Sequence, residues 1–462
     1  MALRRVQRQA SETPPASDSD AKMSESTVVS SPQVTSSSDR PARPRIVIVG
    51  GGFAGIATAK ALRHCDAEVT LIDRRNHHIF QPLLYQVATS VLGPSDVAAP
   101  IRQLAASQEN VSVLLAEVVG IDLTSRYVDV EYSNIGTKKI NFDYLVIAAG
   151  TQSSYFGHNE FARYAPCLKT LTDAETIRTR ILSAYELAEF TDDADERQRH
   201  MTFVLVGAGP TGVELAASIA QMTTTTLRSN FRRINPANTS IFLLEGGKRV
   251  LPSFAESLAE KAAARLVKLG VKVVTGAMVE HIDERGVIVG GKRIESSTVL
   301  WTAGVSPSPL VKLLGVATDR AGRACVSPHL NLPDNRKVFV VGDAATLMQD
   351  DKPLPGVAQV AIQQGRYVGR LITQEIRTGT PPLRFRYLDK GNIAVVGKNF
   401  AVMESGRIRL AGFTAWLVWA FIHLMFLPQL QNRRRVQNQW FWSYVTGQRS
   451  SRLVAEAPRI GA

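Results

Sequence analysis

Cysteine is scarce in this chain. Its 462 residues contain three, Cys65, Cys167 and Cys325, far apart and without a C-x-x-C pair. That pattern speaks against a disulfide scaffold, a zinc site and a thioredoxin-like dithiol. Iron–sulfur and haem spacings are missing as well, so neither a metal nor a proton pump driven by internal electron carriers is expected. No secretory apolar region is present. Long, predominantly apolar runs are scarce, and the one that stands out is Leu410–Leu427, 18 residues with no formal charge. Acidic residues run short at the C-terminal end, where 12 Lys/Arg face 3 Asp/Glu from Thr380 onward, and most of the net charge of +13 collects there. Residues 1–43 lack apolar runs and are rich in Ser, Thr, Pro and Asp, which predicts a disordered extension.

Ordered sequence begins with Arg-Ile-Val-Ile-Val (45–49), a buried-strand pattern that runs into Gly50-Gly51-Gly52-Phe53-Ala54-Gly55. A helix is expected from Ile56 and a second strand over Glu68–Asp73. The arrangement returns as strand Thr202–Val206, turn Gly207-Ala-Gly209-Pro-Thr211-Gly212, helix from Val213, and strand Ser240–Glu245. Each unit closes on a further strand, Tyr144 to Gly150 in the first and Thr298 to Gly304 in the second. A lone glycine motif is weak evidence. Two in strand–turn–helix context, with similar spans to their closing glycines, predict an α/β protein with two Rossmann-like dinucleotide-binding domains, one inserted in the other.

The glycines divide the work. Gly50 and Gly207 permit the tight turn, Gly52 and Gly209 admit a pyrophosphate, and Gly55 and Gly212 let helix and strand pack closely. Phosphates then meet free N–H groups at the helix N-terminus. Asp73 follows Gly50 by 23 residues, suited to a ribose hydroxyl pair. Glu245 follows Gly207 at a longer interval. It is either the matching acid, which favours NADH over NADPH, or an idle surface acid, and nearby Lys248 and Arg249 blunt the preference. Later, Val338-Phe-Val-Val-Gly-Asp343-Ala344 reads either as a strand aiming N–H groups and a carboxylate at a flavin's polar chain or as a turn with Asp as cap.

With these elements the sequence closely resembles the type II NADH dehydrogenases, single-chain NADH:quinone oxidoreductases among the two-dinucleotide-binding-domain flavoproteins. The likeness covers about residues 44–450 and includes Asn76-His-His-Ile-Phe-Gln-Pro-Leu-Leu-Tyr-Gln-Val-Ala, Trp301-Thr-Ala-Gly-Val and Ala358-Gln-Val-Ala-Ile-Gln-Gln-Gly. It implies that the first motif holds non-covalent FAD, with Gly50 to Gly55, Asp73, Arg74, Gly150, Asp343, Ala344 and Ala358 as contacts and Val118 offering backbone to the adenine. The second motif, with Gly207, Gly209, Thr211, Gly212, Glu245 and Gly304, would hold NADH. Glu214 corresponds to an acid near nicotinamide and flavin; the residues alone favour a first-turn helix acid stabilised by the dipole. Gln359 and Gln363 would stand at the flavin–quinone end, Gln363 and Gln364 meeting quinone carbonyls or simply capping a turn. Hydride transfer needs stacked rings and excluded water more than a strong acid or base.

At the C-terminal end Leu410–Leu427 is predicted as one apolar helix, followed by Pro428, Arg433–Arg435 and a second helix with Val436, Trp440, Phe441, Tyr444 and Val445 on one face. Aromatics beside arginines suit helices lying on a lipid surface. A single span and a buried homodimer interface are the alternatives. The resemblance implies a monotopic protein, placed on the cytoplasmic face of a bacterial inner membrane, with membrane quinone as acceptor. Nucleic acid is a poor partner, because the aromatics lie in an apolar run rather than a basic groove. The expected layout is 44–165 and 306–380 for the FAD-binding domain, 166–305 for the NADH-binding domain, and 381–462 for a membrane-anchoring helical region. Rival readings are another FAD-dependent pyridine-nucleotide reductase, a sulfide:quinone oxidoreductase using Cys167 and Cys325, and a non-catalytic NADH-binding sensor or assembly factor.

Overall fold

The computed structural model describes residues 43–132, 135–380 and 383–454. Of the expected extension only Arg43 lies within them; residues 1–42 fall outside the described residues.

Ile46 to Val49 are all buried, so this strand is covered on both faces, as parallel strands are. It is central in a six-stranded sheet. In spatial order the strands are Asn331–Leu332, Asn335–Val340, Tyr144–Ile147, Arg45–Val49, Glu68–Asp73 and Val111–Leu115. All pairings are parallel except that of the short Asn331–Leu332 edge strand. A second sheet is wholly parallel, in the order Val271–Thr275, Ser240–Glu245, Thr202–Val206 and Thr298–Trp301. The two sheets share one plan: closing strand beside first strand, then second, then third. Each plan carries an antiparallel three-stranded excursion before its closing strand. The first sheet differs by Asn335–Val340, which arrives from beyond the second sheet and makes the first unit discontinuous. Just past the closing strands, Thr151–Ser153 and Val305–Pro307 pair antiparallel and join the units.

The glycine helices run Phe53–Ala61 and Pro210–Gln221, each starting three residues before the sequence places it, because the turn itself supplies the first helical residues. Against the first lies the long helix Ala358–Thr378. Their backbones nearly touch. A Cβ on Gly369 would stand 2.6 Å from Ala61 Cβ and 2.8 Å from the Thr58 carbonyl. Apolar side chains fill both faces of both sheets.

The C-terminal region corrects the sequence reading. Residues 410–412 belong to a strand, Ile408–Gly412, in an antiparallel sheet with Asn392–Val395 and Ala401–Ser405. The apolar helix is therefore Phe413–Phe426, 14 residues, about 21 Å long. No helix among the described residues is long and apolar enough to cross a membrane, so the single-span alternative falls. The second helix, Leu430–Thr446, also departs from expectation. Val436 is fully buried and Trp440 stacks on Trp419 at 5.2 Å, whereas Phe441, Trp442 and Val445 stand open to solvent. A helix packed on a body must split its apolar residues between two faces, and periodicity alone does not show which face meets protein. Gly447, at φ +71°, reverses the chain after this helix in a left-handed conformation that suits glycine. The reversal sends Arg449 back into the core.

Candidate active site between two glycine turns

Both turns are built the same way. Gly50 and Gly207 take positive φ. A Cβ on Gly55 would run into the Gly50 carbonyl, and one on Gly212 into that of Gly207. Beside Gly52 and Gly209 there is open space. The Gly51 N–H donates to Asp73 Oδ2 at 2.6 Å, and the Ala208 N–H to Glu245 Oε2 at 2.7 Å. Asp73 also accepts from the Arg75 N–H at 2.7 Å and Glu245 from the Gly247 N–H at 2.8 Å. Glu245 is thus no idle surface acid; it fixes the turn whose N–H groups face the ligand space.

The first turn opens onto a polar groove of about 300 Å3 whose walls include Gly50 to Ala54, Asp73, Gly150, Asp343 and Ala358. Asp343 does not cap the turn it follows; its carboxylate faces Thr151, whose hydroxyl donates at 3.5 Å. Fully buried Gln364 accepts the Gly342 N–H at 2.6 Å and so holds the Gly-Asp corner in place. Ala344 is buried in the core behind it. Lys169, absent from the sequence reading, reaches into the groove and donates to Thr151 Oγ1 at 2.9 Å. Burial pushes its pKa down while Asp343 pushes it up. A half-buried cation, free turn N–H groups and open space beside Gly52 fit a pyrophosphate-bearing ligand.

Three expected site residues, Arg74, Gln359 and Gln363, are placed elsewhere. Arg74 turns out to Glu117 at 3.4 Å, and the adjacent Arg75 lines the groove instead. Val118 pairs with Val130 in a strand and keeps its side chain in the core, which is compatible with the backbone contact that the resemblance implies. Gln359 and Gln363 are spent on backbone. Gln359 donates to the Gly391 carbonyl at 2.8 Å and accepts from the Lys390 N–H at 3.2 Å. Gln363 does the same with Leu388, at 2.9 and 3.0 Å. Amides with both ends satisfied by one loop are braces, and neither lines the apolar cavity described next.

Two more cavities continue from the groove. One, about 150 Å3, runs along Thr211, Glu214, Trp301, Thr302, Gly304 and Val305, so it joins the second turn's helix to its closing strand. The other, about 310 Å3 and largely apolar, lies beneath the C-terminal helices against Trp416, Trp419, Trp440 and Tyr444. Glu214 and Tyr85 stand in the walls of both. Glu214 is the fifth residue of its helix, just past the first turn, and its carboxylate accepts a long 3.4 Å bond from the Val395 N–H. Burial outweighs that bond and pushes its pKa up to about 8. Tyr85 is raised well above the usual phenol value by burial and by the Glu214 charge.

The rim of the apolar cavity is tied down by polar bonds. Gln86 donates to Tyr85 Oη at 2.9 Å and accepts from Trp440 Nε1 at 2.7 Å. Buried Arg449 donates to the carbonyls of Thr89, at 2.7 Å, and Ser218, at 2.9 Å. Burial lowers its pKa to about 10. The sequence assigns no role to Tyr85, Gln86 or Arg449: the first two lie in the 76–88 motif without a function of their own, and the last counts only among the tail's charges. The cysteines do not pair, and all three are free thiols.

Comparison with known proteins agrees with this geometry. Residues 44–365 match the family model for pyridine nucleotide-disulphide oxidoreductases. The chain is 41% identical over 437 residues to the type II NADH:quinone oxidoreductase Ndh of Mycobacterium tuberculosis, covering 92% of this chain and 93% of that one. It is 30% identical to the demethylphylloquinone reductase NdbB of Synechocystis, covering 86% and 96%. Its fold matches NDH2 of Plasmodium falciparum in complex with NADH at a TM-score of 0.80, with 20% identity over 88% of this chain and 99% of that chain. The chain belongs to the pyridine nucleotide-disulphide oxidoreductase family and, within it, to the type II NADH:quinone oxidoreductases.

Proposed function

We propose that the chain oxidises NADH with a non-covalent FAD and reduces a membrane quinone, without pumping protons. When bound, FAD accepts hydride from the nicotinamide and passes two electrons onward. The residues sort into a donor side and an acceptor side. Gly50 to Gly55, Asp73, Asp343, Lys169 and Arg75 hold the flavin's polar chain in the groove. Gly207 to Gly212 and Glu245 hold NADH, whose nicotinamide enters the small cavity beside Thr211 and Gly304. The quinone takes the apolar cavity, where aromatic walls replace water around its ring.

One observation carries this reading: Glu214 lines both the donor cavity and the acceptor cavity. Quinone reduction consumes two protons, and a carboxyl with a pKa of about 8 keeps one in place at neutral pH. The domain layout follows, with 44–165 and 306–380 for FAD and 166–305 for NADH. Residues 381–462 form the acceptor wall and the membrane face, on the cytoplasmic side of a bacterial inner membrane. Phe421, Phe441, Trp442 and Val445, between 56% and 69% exposed, supply an apolar surface beside that cavity. The test is an anaerobic spectrum. The purified protein should be yellow, bleach on addition of NADH, and recolour on addition of quinone. A colourless protein, or a flavin that NADH leaves unbleached, overturns the proposal.

A further inference from the structure

Behind the first glycine helix lies a groove of about 510 Å3 that the reaction does not use. Its cations come from three separate elements: Lys60 near the end of helix Phe53–Ala61, Arg366 and Arg370 on helix Ala358–Thr378, and Arg433 on the last helix. The close approach of the first two helices at Gly369 and Ala61 is what gathers the first three. Arg366 and Arg370 are one helical turn apart, so they share a face. No carboxylate lines the groove. Among the described residues none of the four cations makes a salt bridge. Arg433 spends only its Nε, on the Leu427 carbonyl at 3.1 Å. His78, at the floor, adds no charge at neutral pH, because burial lowers its pKa. Like charges one turn apart destabilise a helix, so the cluster has no structural return.

The rest of the groove is apolar. Phe53, Ile56 and Ile362 form its floor, and Met425 and Phe426, each about half exposed, form a lip that continues onto the exposed face of helix Phe413–Phe426. A cation cluster joined to an apolar lip, beside a surface already assigned to lipid, matches a molecule with an anionic head and an apolar tail.

We propose that this groove binds one anionic phospholipid of the membrane leaflet, its phosphate among Lys60, Arg366, Arg370 and Arg433 and an acyl chain over Met425 and Phe426. The proposal rests on the membrane-surface reading of the C-terminal helices, and the experiment separates the two. The flavin-loaded full chain is titrated by calorimetry with phosphatidylglycerol bearing six-carbon chains, which is monomeric in solution, and with its phosphatidylcholine counterpart. Saturable one-to-one binding of the first, at least tenfold tighter than the second, is expected. The R366Q/R370Q double variant should lose at least tenfold. R434Q/R435Q, which removes the same charge from exposed positions outside the groove, should stay within twofold. Equal loss in both variants means diffuse attraction and overturns the site. So does the absence of saturation, or competition by inorganic phosphate at concentrations matching the lipid. Co-sedimentation with phosphatidylcholine vesicles reads the membrane face separately: a chain that sediments with vesicles but shows no saturable lipid keeps its membrane face and loses the groove.

Discussion

The two glycine turns are near copies, yet they do different work. Each uses a glycine at positive φ, a missing Cβ that lets helix meet strand, and an acid that receives the N–H of the residue after the first glycine. What differs is the opposite wall. Across from Gly50 stands the Gly342–Asp343 corner, delivered by a fifth parallel strand that the second sheet lacks. Lys169 closes the same space. A ligand gripped from both sides suits a retained cofactor, and one gripped by the turn alone suits a substrate that must leave. Affinity therefore depends on the facing element rather than on the motif.

The largest expected effects break the turns one at a time. Gly55→Val should give a colourless, inactive protein, since its side chain meets the Gly50 carbonyl. Gly212→Val should stay yellow but bleach with NADH at least 100-fold more slowly, read by stopped-flow absorbance. Wild-type bleaching in Gly212→Val would show that the second turn is not where NADH binds.

Next comes the wall between the cavities. Glu214→Gln should slow quinone reduction by about 100-fold while NADH bleaching stays within threefold, because a positioned proton donor contributes on the order of 10²–10⁴. Wild-type quinone turnover should fall as pH passes about 8, where Glu214 loses its proton. Stability follows the same group. Its pKa rises from 4.5 to about 8 on folding, so its contribution is whole at low pH and is lost as pH climbs through that window. The glutamine variant should accordingly gain on wild type by roughly 2–4 °C in melting temperature between pH 5 and pH 8. A gain in the opposite direction would mean that Glu214 is charged in the resting protein.

Arg449→Met leaves the Thr89 carbonyl unpaired, while the Ser218 carbonyl keeps the Met222 N–H, and should cost about 2 kcal/mol in denaturant unfolding, together with quinone activity. Glu245→Ala should raise the KM for NADH about tenfold, on the order of 1.4 kcal/mol, and narrow the preference over NADPH. The smallest effect belongs to Gln359→Ala. As a brace on residues 388–391 it should change quinone turnover by less than about threefold, with the loss appearing as roughly 1 kcal/mol of stability. A loss beyond tenfold would return that glutamine to the acceptor site.

Much of the fold was legible because its signals are local. Buried runs such as Ile46–Val49, glycines at fixed offsets and strand-end acids announce two nucleotide folds whatever surrounds them. The helix 413–426 shows where this stops. Leu410 to Leu427 carries no formal charge, and hydropathy does not distinguish strand residues 410–412 from helix; the pairing of Leu410 with Met403 and of Ala411 with Val402 decides it. Gln359 and Gln363 show the same limit in the site. Their amides suit a quinone, but the loop at 388–391, close only in space, takes them first.

By itself the sequence determined the two turns and their acids, since each depends on residues within a few dozen positions. Only the tertiary structure decided that Glu214 and Tyr85 stand between two cavities, that Arg75 rather than Arg74 enters the groove, and that Arg449 returns to brace the wall of the apolar cavity. Those outcomes depend on which side of a helix or strand meets protein, and burial and hydrogen bonding settle that between segments hundreds of residues apart.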